Sequence, residues 1–130
     1  MKHDVRVSSK PRKQRKAIYS APLHKKTKMM SAHLNTDDKE LSQYKRRSIP
    51  IHKGDTVKIV RGAFRGHTGT VAKVYRSKGL IEVDGVVLTK SDGKQVAKKI
   101  HPSNVIITKL DLSDPVRKAK LESKITKGGN

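Results

Sequence analysis

The sequence predicts a mainly β protein: a small five-stranded barrel, preceded by a basic N-terminal extension with short helices and followed by a short C-terminal helix. Between residues 51 and 110, β-branched runs alternate with glycine-bearing turns, and strands at this spacing favour a barrel, which has no exposed edges. The first 34 residues instead carry ten basic residues against one acidic residue, a net charge of +9. We therefore expect an arm and helical extension at 1–50, a barrel at 51–110, and a helix with a tail at 111–130.

The N-terminal extension shows no apolar periodicity before Ile18, which predicts an extended arm without a core of its own. A helix is predicted from Pro22, because proline suits the first turn and Ser20 is a candidate cap. One face of that helix is predicted to carry Leu23, Thr27, Met30 and Leu34.

A second helix is predicted over residues 37–46, with Thr36 as its N-cap. Acidic residues in its first turn and basic residues in its last turn complement the helix dipole. Leu41 and Tyr44 are expected to pack this helix on the barrel, since they lie three residues apart. The chain is expected to continue in an extended form over 49–51, because a proline disfavours a helical residue before it.

The barrel strands are predicted at 56–60, 70–75, 80–90, 96–101 and 105–109. Gly85 interrupts the third strand, and Asp92-Gly93 is a strong hairpin signal. After the barrel, Asp114 and Pro115 are the predicted cap and first residue of the C-terminal helix. The predicted core consists of Val57, Ile59, Val71, Val74, Ile81, Val83, Ile100, Val105 and Ile107.

The loop between the first two strands combines glycines with arginines. Gly62, Gly66 and Gly69 give the backbone freedom for tight turns and leave room for another backbone to come close. Arg61 and Arg65 place forked cationic donors, which suit phosphate, on the same loop. This pattern predicts a nucleic-acid contact.

The composition favours a polyanionic partner. The formal net charge is +20, only 33% of residues are hydrophobic and 3% are aromatic, so part of the chain is expected to be ordered by its partner. Nucleic acid fits better than an anionic membrane, because no apolar run approaches the roughly 20 residues of a membrane span and no signal-peptide core follows Met1. The chain has no cysteine, which fits a cytoplasmic protein.

A family resemblance rests on residues 54–57, 60–62 and 65–71, which resemble the KOW motif. This motif occurs in a universal large-subunit ribosomal protein and in transcription elongation factors. Four further segments resemble the archaeal and eukaryotic branch of the ribosomal family, and these are Ser9–Lys16, Ala21–His24, Arg46–Ile51 and His101–Val105.

This resemblance implies an SH3-like barrel in a structural protein of the large ribosomal subunit, one that binds the 5′ domain of large-subunit rRNA and assists early assembly near the peptide exit tunnel. It implies neighbouring ribosomal proteins as partners, and nascent-chain or secretion factors at the tunnel exit as further candidates. Neither membrane binding nor a homo-oligomer is expected. The short C-terminal helix and Lys-rich loops favour an archaeal source. The alternatives are a KOW-type elongation accessory protein docking on RNA polymerase, which the +9 arm disfavours, and a DNA-compacting protein, which would not need the glycine loop.

Seventeen residues are the predicted RNA contacts: Lys10, Arg12, Lys13, Arg15, Lys16, His24, Lys25, Arg46, Arg47, Arg61, Gly62, Arg65, Gly66, His67, Lys98, Lys99 and His101. Each group has a simpler alternative: a disordered arm, arginines that only complement the helix end at 46–47, or a solvated hairpin loop. The scarcity of aromatic residues indicates recognition of RNA shape and phosphate rather than base stacking.

No enzymatic function, metal or cofactor is predicted. No two of the six histidines lie three or four residues apart, and no cysteine assists them as a ligand. The sequence also lacks a nucleophile elbow, a Walker loop and the dinucleotide-binding glycine spacing.

Overall fold

The computed structural model describes residues 4–35, 37, 39–44 and 46–128. Its helices are α1 Pro11–Ser20, α2 Leu23–Met29, α3 Lys39–Ser42 and α4 Pro115–Gly128. Its strands are β1 Ser31–Leu34, β2 Ser48–Pro50, β3 Thr56–Ile59, β4 Thr68–Tyr75, β5 Leu80–Thr89, β6 Gln95–Ile100 and β7 Val105–Lys109. A 3₁₀ turn, Pro102–Asn104, joins β6 to β7.

Strands β3 to β7 form the predicted five-stranded unit. They are ordered β7-β3-β4-β5-β6, and every neighbouring pair is antiparallel. The strands that come first and last along the chain, β3 and β7, are therefore neighbours, as in SH3-like barrels. Register shifts between Val71 and Lys73 and between Glu82 and Val87 bend the long strands β4 and β5, because a bulge locally increases twist. The second shift contains Gly85 at φ +85°, where the third strand is predicted to be interrupted. The predicted fold class is confirmed.

The core lies inside this bent sheet. Eight of the nine predicted core residues are buried, while Val74 is only partly buried and packs against the cluster. Leu41 and Tyr44 join the same core, which confirms their predicted packing on the barrel.

The sheet contains two further strands that were not predicted. β1 pairs in parallel with β7 and antiparallel with β2, so the sheet extends across the predicted boundary at residue 51. The helix predicted from Pro22 therefore ends at Met29, and Leu34 lies on β1, not on that helix. β1 buries Ala32 and Leu34 against the sheet, and this tertiary pairing outweighs its weak local strand propensity.

Two predictions about the N-terminal extension were wrong: the extended arm and the cap of the helix that follows it. The region predicted as an extended arm is helical over α1, where Pro11 occupies the first turn and good helix formers follow. No residue of α1 is buried, so a solvated helix explains the missing apolar periodicity. Ser20 ends α1 and does not cap α2, whose N-cap is Pro22.

The second predicted helix is shorter than expected, because α3 covers only Lys39–Ser42. Its predicted cap, Thr36, lies outside the described residues. The chain after it is extended, as predicted, and forms β2.

The C-terminal helix begins as predicted. Pro115 is its first residue, and the backbone N–H of Val116 donates to Asp114 Oδ1 at 3.0 Å. Leu121 of α4 is buried in the core.

A buried ion pair attaches α4 to the barrel. Asp55 is 0% exposed and Arg117 is 7% exposed. Arg117 Nη1 donates to Asp55 Oδ1 at 2.6 Å and Nη2 donates to Oδ2 at 2.7 Å, so the pair is bidentate. The carboxylate also accepts the backbone N–H groups of His52 and Asp111, at 3.0 and 2.9 Å. Four donors on three chain segments therefore converge on one buried carboxylate.

The same carboxylate generates a stability prediction. Asp55→Ala leaves the Arg117 cation buried and unpaired, so we expect the free energy of unfolding to fall by about 3–5 kcal/mol in urea denaturation. Asp84→Ala is the matched control at an exposed side chain, where we expect a change within about 0.5 kcal/mol. Equal losses in the two variants would contradict the assigned role of Asp55.

Candidate nucleic-acid interface

The β3–β4 loop is a hydrogen-bonded structure. At its base, the N–H of Gly66 donates to Ile59 O at 2.7 Å and the N–H of Ile59 donates to His67 O at 2.9 Å. Within it, the N–H of Arg65 donates to Gly62 O at 3.2 Å. Arg61 and Arg65 are exposed on this ordered loop, so their cations are presented from a fixed backbone.

Gly62 and Gly66 adopt φ values of +95° and +91°, which side-chain-bearing residues rarely adopt. Apart from the glycine itself and its two chain neighbours, no atom of the described residues lies within 4 Å of an added Cβ at either position. The two glycines are therefore required by the turn and leave an open surface that another backbone can approach. Gly69 differs, because a Cβ there would lie 2.7 Å from Asp84 O in the neighbouring strand.

His67 anchors the loop to the bulge of β5. Its Nε2 lies 2.9 Å from Asp84 O and donates to it, since a carbonyl oxygen accepts. An added Cβ at Gly85 would lie 2.9 Å from the His67 ring, so the glycine makes room for the imidazole. His67 thus has a structural contact that the sequence did not indicate, and its predicted RNA contact stays a prediction.

The loop shares a groove with the end of β6. This loop groove has a volume of about 120 Å³, and the predicted RNA contacts on its wall are Arg61, Gly62, Lys98, Lys99 and His101. Lys98 Nζ lies 5.4 Å from the centre of the Phe64 ring, a cation–π distance that ties β6 to the loop. His101 caps the 3₁₀ turn, because its Nδ1 accepts the N–H of Ser103 at 3.2 Å.

The arm presents its cations on a helix. Arg12, Lys13, Arg15 and Lys16 lie on α1 and Lys10 is its N-cap residue; all five are exposed. Arg12 and Lys16 are four residues apart and therefore lie on one face of the helix. At the end of α1, Ile18 and Tyr19 line a cleft with residues 76–79 of the β4–β5 turn.

His24 and Arg46 meet in a second groove of about 270 Å³ between α2, β2 and α4, which we call the helix-lined groove. Cationic or titratable side chains on its wall are His24, Lys28, Arg46, His52, Asp114, Arg117 and Lys120. Arg46 Nε is buried and has no hydrogen-bond partner among the described residues. Lys25 and Arg47 are exposed nearby in sequence. The predicted contacts therefore fall into three regions: α1, the β3–β4 loop with the loop groove, and the helix-lined groove with the residues next to it in sequence.

Two cationic residues that make contacts with the β4–β5 hairpin, Lys73 and Lys26, were missed by the sequence analysis. Lys73 lies over the same Tyr75 ring as Lys99, with Nζ-to-centroid distances of 4.9 and 4.7 Å respectively. The ammonium of Lys26 reaches Ser77 O at 3.5 Å. Only packing between distant segments brings these residues together, so no local pattern would have found them.

Within the described part of the chain, no three His, Cys, Asp or Glu side chains are grouped to hold a metal ion. No helix in that part is long and apolar enough to cross a membrane.

The model of a ribosomal protein family, described as comprising the eukaryotic L26 proteins and their archaeal L24-type counterparts, matches residues 8–124. The chain belongs to this ribosomal protein family. The matched region runs from just before α1 to within α4, so it includes both the cationic arm and the barrel. The predicted family resemblance is confirmed, and the elongation-factor alternative is not favoured.

Two archaeal relatives agree with this assignment. The chain is 47% identical over 119 residues to the "Large ribosomal subunit protein uL24" of Methanosphaera stadtmanae, covering 92% of this chain and 100% of the relative. It is 51% identical over 117 residues to the protein of the same description from Korarchaeum cryptofilum, covering 90% of this chain and 88% of the relative. Membership of this ribosomal family indicates a structural role.

The helix-lined groove generates a pH prediction. Burial, and next the Arg117 cation, lower the pKa of His52 below its usual value of 6.5. The imidazole of His52 is therefore protonated more readily in the unfolded chain than in the folded protein. The contribution of neutral His52 to the free energy of unfolding is present above about pH 6.5 and is lost as the pH falls towards the folded-state pKa. We expect the free energy of unfolding to drop less between about pH 7.5 and about pH 5 in His52→Gln than in the wild type.

Urea denaturation at the two pH values measures this difference. His33→Gln, at an exposed position on β1, is the matched control and should keep the wild-type pH dependence. A wild-type pH dependence in His52→Gln would contradict the prediction.

Proposed function

We propose that this protein is a structural, non-enzymatic component of the large ribosomal subunit that binds the 5′ domain of large-subunit rRNA. The observation that carries the proposal is the family match over residues 8–124, which includes the cationic arm as well as the barrel. The net charge of +20 supports a polyanionic partner. The relatives are described as large ribosomal subunit proteins, which supports a place on the same particle in the cytoplasm.

The β3–β4 loop, with the loop groove beside it, is the proposed docking surface for a preformed RNA helix. Its backbone is fixed by internal hydrogen bonds, so little conformational entropy is lost when Arg61 and Arg65 contact phosphates. The open surface at Gly62 and Gly66 lets a sugar–phosphate backbone approach closely. Contacts of this kind position a protein on RNA through its shape.

The α1 arm is proposed to lie between RNA helices. Its exposed cations would neutralise phosphates and displace condensed counterions, which lowers repulsion where helices pack closely. This action suits an early step of assembly, before the RNA is compact. Neighbouring ribosomal proteins, and nascent-chain or secretion factors near the exit tunnel, are further proposed partners.

The experiment compares RNA binding by loop variants. Arg61→Ala with Arg65→Ala should weaken binding to a 5′-domain rRNA transcript at least about tenfold, because each charge-assisted contact contributes about 1.5–3 kcal/mol. A plot of log affinity against log salt concentration has a negative slope, and the magnitude of this slope should decrease by about 2. The melting temperature should change little, since both side chains are exposed.

The matched control is Lys90→Ala with Lys94→Ala, which removes the same charge from the exposed β5–β6 turn. Equal affinities for the loop variant and this control would show that Arg61 and Arg65 are solvated and do not contact the RNA. A wild-type protein that binds the transcript no better than an unrelated RNA of equal length would overturn the proposed function itself.

A further inference from the structure

A row of charged side chains crosses β4, β5 and β6. Lys73 is paired with Glu82, and Glu82 is paired with Lys99. Directly paired residues of neighbouring strands point to the same face of a sheet, so the three side chains lie side by side. The row therefore places two cations around one anion on an outer face of the barrel.

Tyr75 holds this row together. Its hydroxyl donates to Glu82 Oε1 at 2.5 Å, and this hydrogen bond raises the pKa of the phenol. The ammonium groups of Lys73 and Lys99 both lie within 5 Å of the ring centre, where the ring quadrupole attracts them. Because the ring already holds two ammonium groups, it is a poor platform for an RNA base.

Lys78, in the turn after β4, adds a further positive charge next to Lys99. Its ammonium is the largest cause of a lowered pKa at Lys99. Lys26 of α2 reaches the same turn, with Nζ 3.5 Å from Ser77 O. Neighbouring like charges repel each other, and an anion that binds between them reduces the repulsion.

The ammonium groups of the row lie over Tyr75, on the opposite face of β6 from Lys98. Successive strand residues point to opposite faces, and here Lys98 lies over Phe64 whereas the ammonium of Lys99 lies over Tyr75. Although Lys99 contributes to the wall of the loop groove, its charge is directed to the Tyr75 face. β6 thus presents one cation to each of two surfaces.

We propose that Lys73 and Lys99, held over Tyr75, together with Lys78 in the adjoining turn, form a second phosphate-binding surface that takes the backbone of an RNA segment other than the one at the loop groove. This proposal rests on the proposed rRNA-binding function and adds that the barrel lies between two RNA segments. The crowded ammonium groups favour phosphate, and the occupied aromatic ring disfavours base stacking.

The first experiment measures the affinity of Lys78→Ala with Lys99→Ala for the 5′-domain transcript over a range of salt concentrations. We expect at least about tenfold weaker binding. The magnitude of the slope of log affinity against log salt concentration should decrease by about 2, since two phosphate contacts are lost. The control Lys90→Ala with Lys94→Ala should keep most of the wild-type slope. Equal slopes for the two double variants would overturn the second surface while leaving the proposed function intact.

Chemical protection provides an independent readout that does not depend on any variant folding. The wild-type protein, free and bound to the transcript, is acetylated at its lysines and analysed by mass spectrometry. Bound RNA should reduce acetylation of Lys78 and Lys99 at least severalfold more than that of Lys90 and Lys94. Equal acetylation of Lys78 and Lys99 in the free and bound protein would overturn the proposal. A wild type that binds the transcript no better than an unrelated RNA would overturn this proposal together with the proposed function.

Discussion

The bidentate pair of Asp55 and Arg117 determines where the C-terminal helix lies. A buried carboxylate is tolerated only when charge and hydrogen bonds compensate its lost hydration, and Asp55 receives both from Arg117 and from two backbone N–H groups. Arg117 also donates to the carbonyl oxygens of Pro50 and Asp111. The pair therefore joins β2, the turn before β3, the segment after β7 and α4. Together with the buried Leu121, the pair holds the wall of the helix-lined groove that α4 provides.

A chain with net charge +20 must keep its own cations apart or stabilise them. The barrel does this with its few aromatic residues, because Phe64 and Tyr75 hold three lysine ammonium groups at cation–π distances. These contacts restrict flexible lysines before RNA arrives, so less entropy is lost on binding. The α1 arm has no such support, since none of its residues is buried.

Strong local signals made most of the barrel predictable. The β-branched runs, the Asp92-Gly93 turn and the Asp114-Pro115 helix start act over a few residues, and the structure has each of them in place. β1 was missed because Ser-Ala-His-Leu has little strand propensity and its partners, Ile106 and Ile107, are far along the chain. The glycine–arginine loop followed from spacing alone. The Lys73–Glu82–Lys99 row and the Asp55–Arg117 pair did not, since both depend on register and packing between distant segments.

The most direct test of the account is sedimentation of a cell lysate at moderate salt, with each gradient fraction probed for this chain. A protein of this ribosomal family that binds rRNA on two surfaces should appear in stoichiometric amounts in the large subunit and stay there after a salt wash. Migration with RNA polymerase, or as free protein near the top of the gradient, would contradict the account.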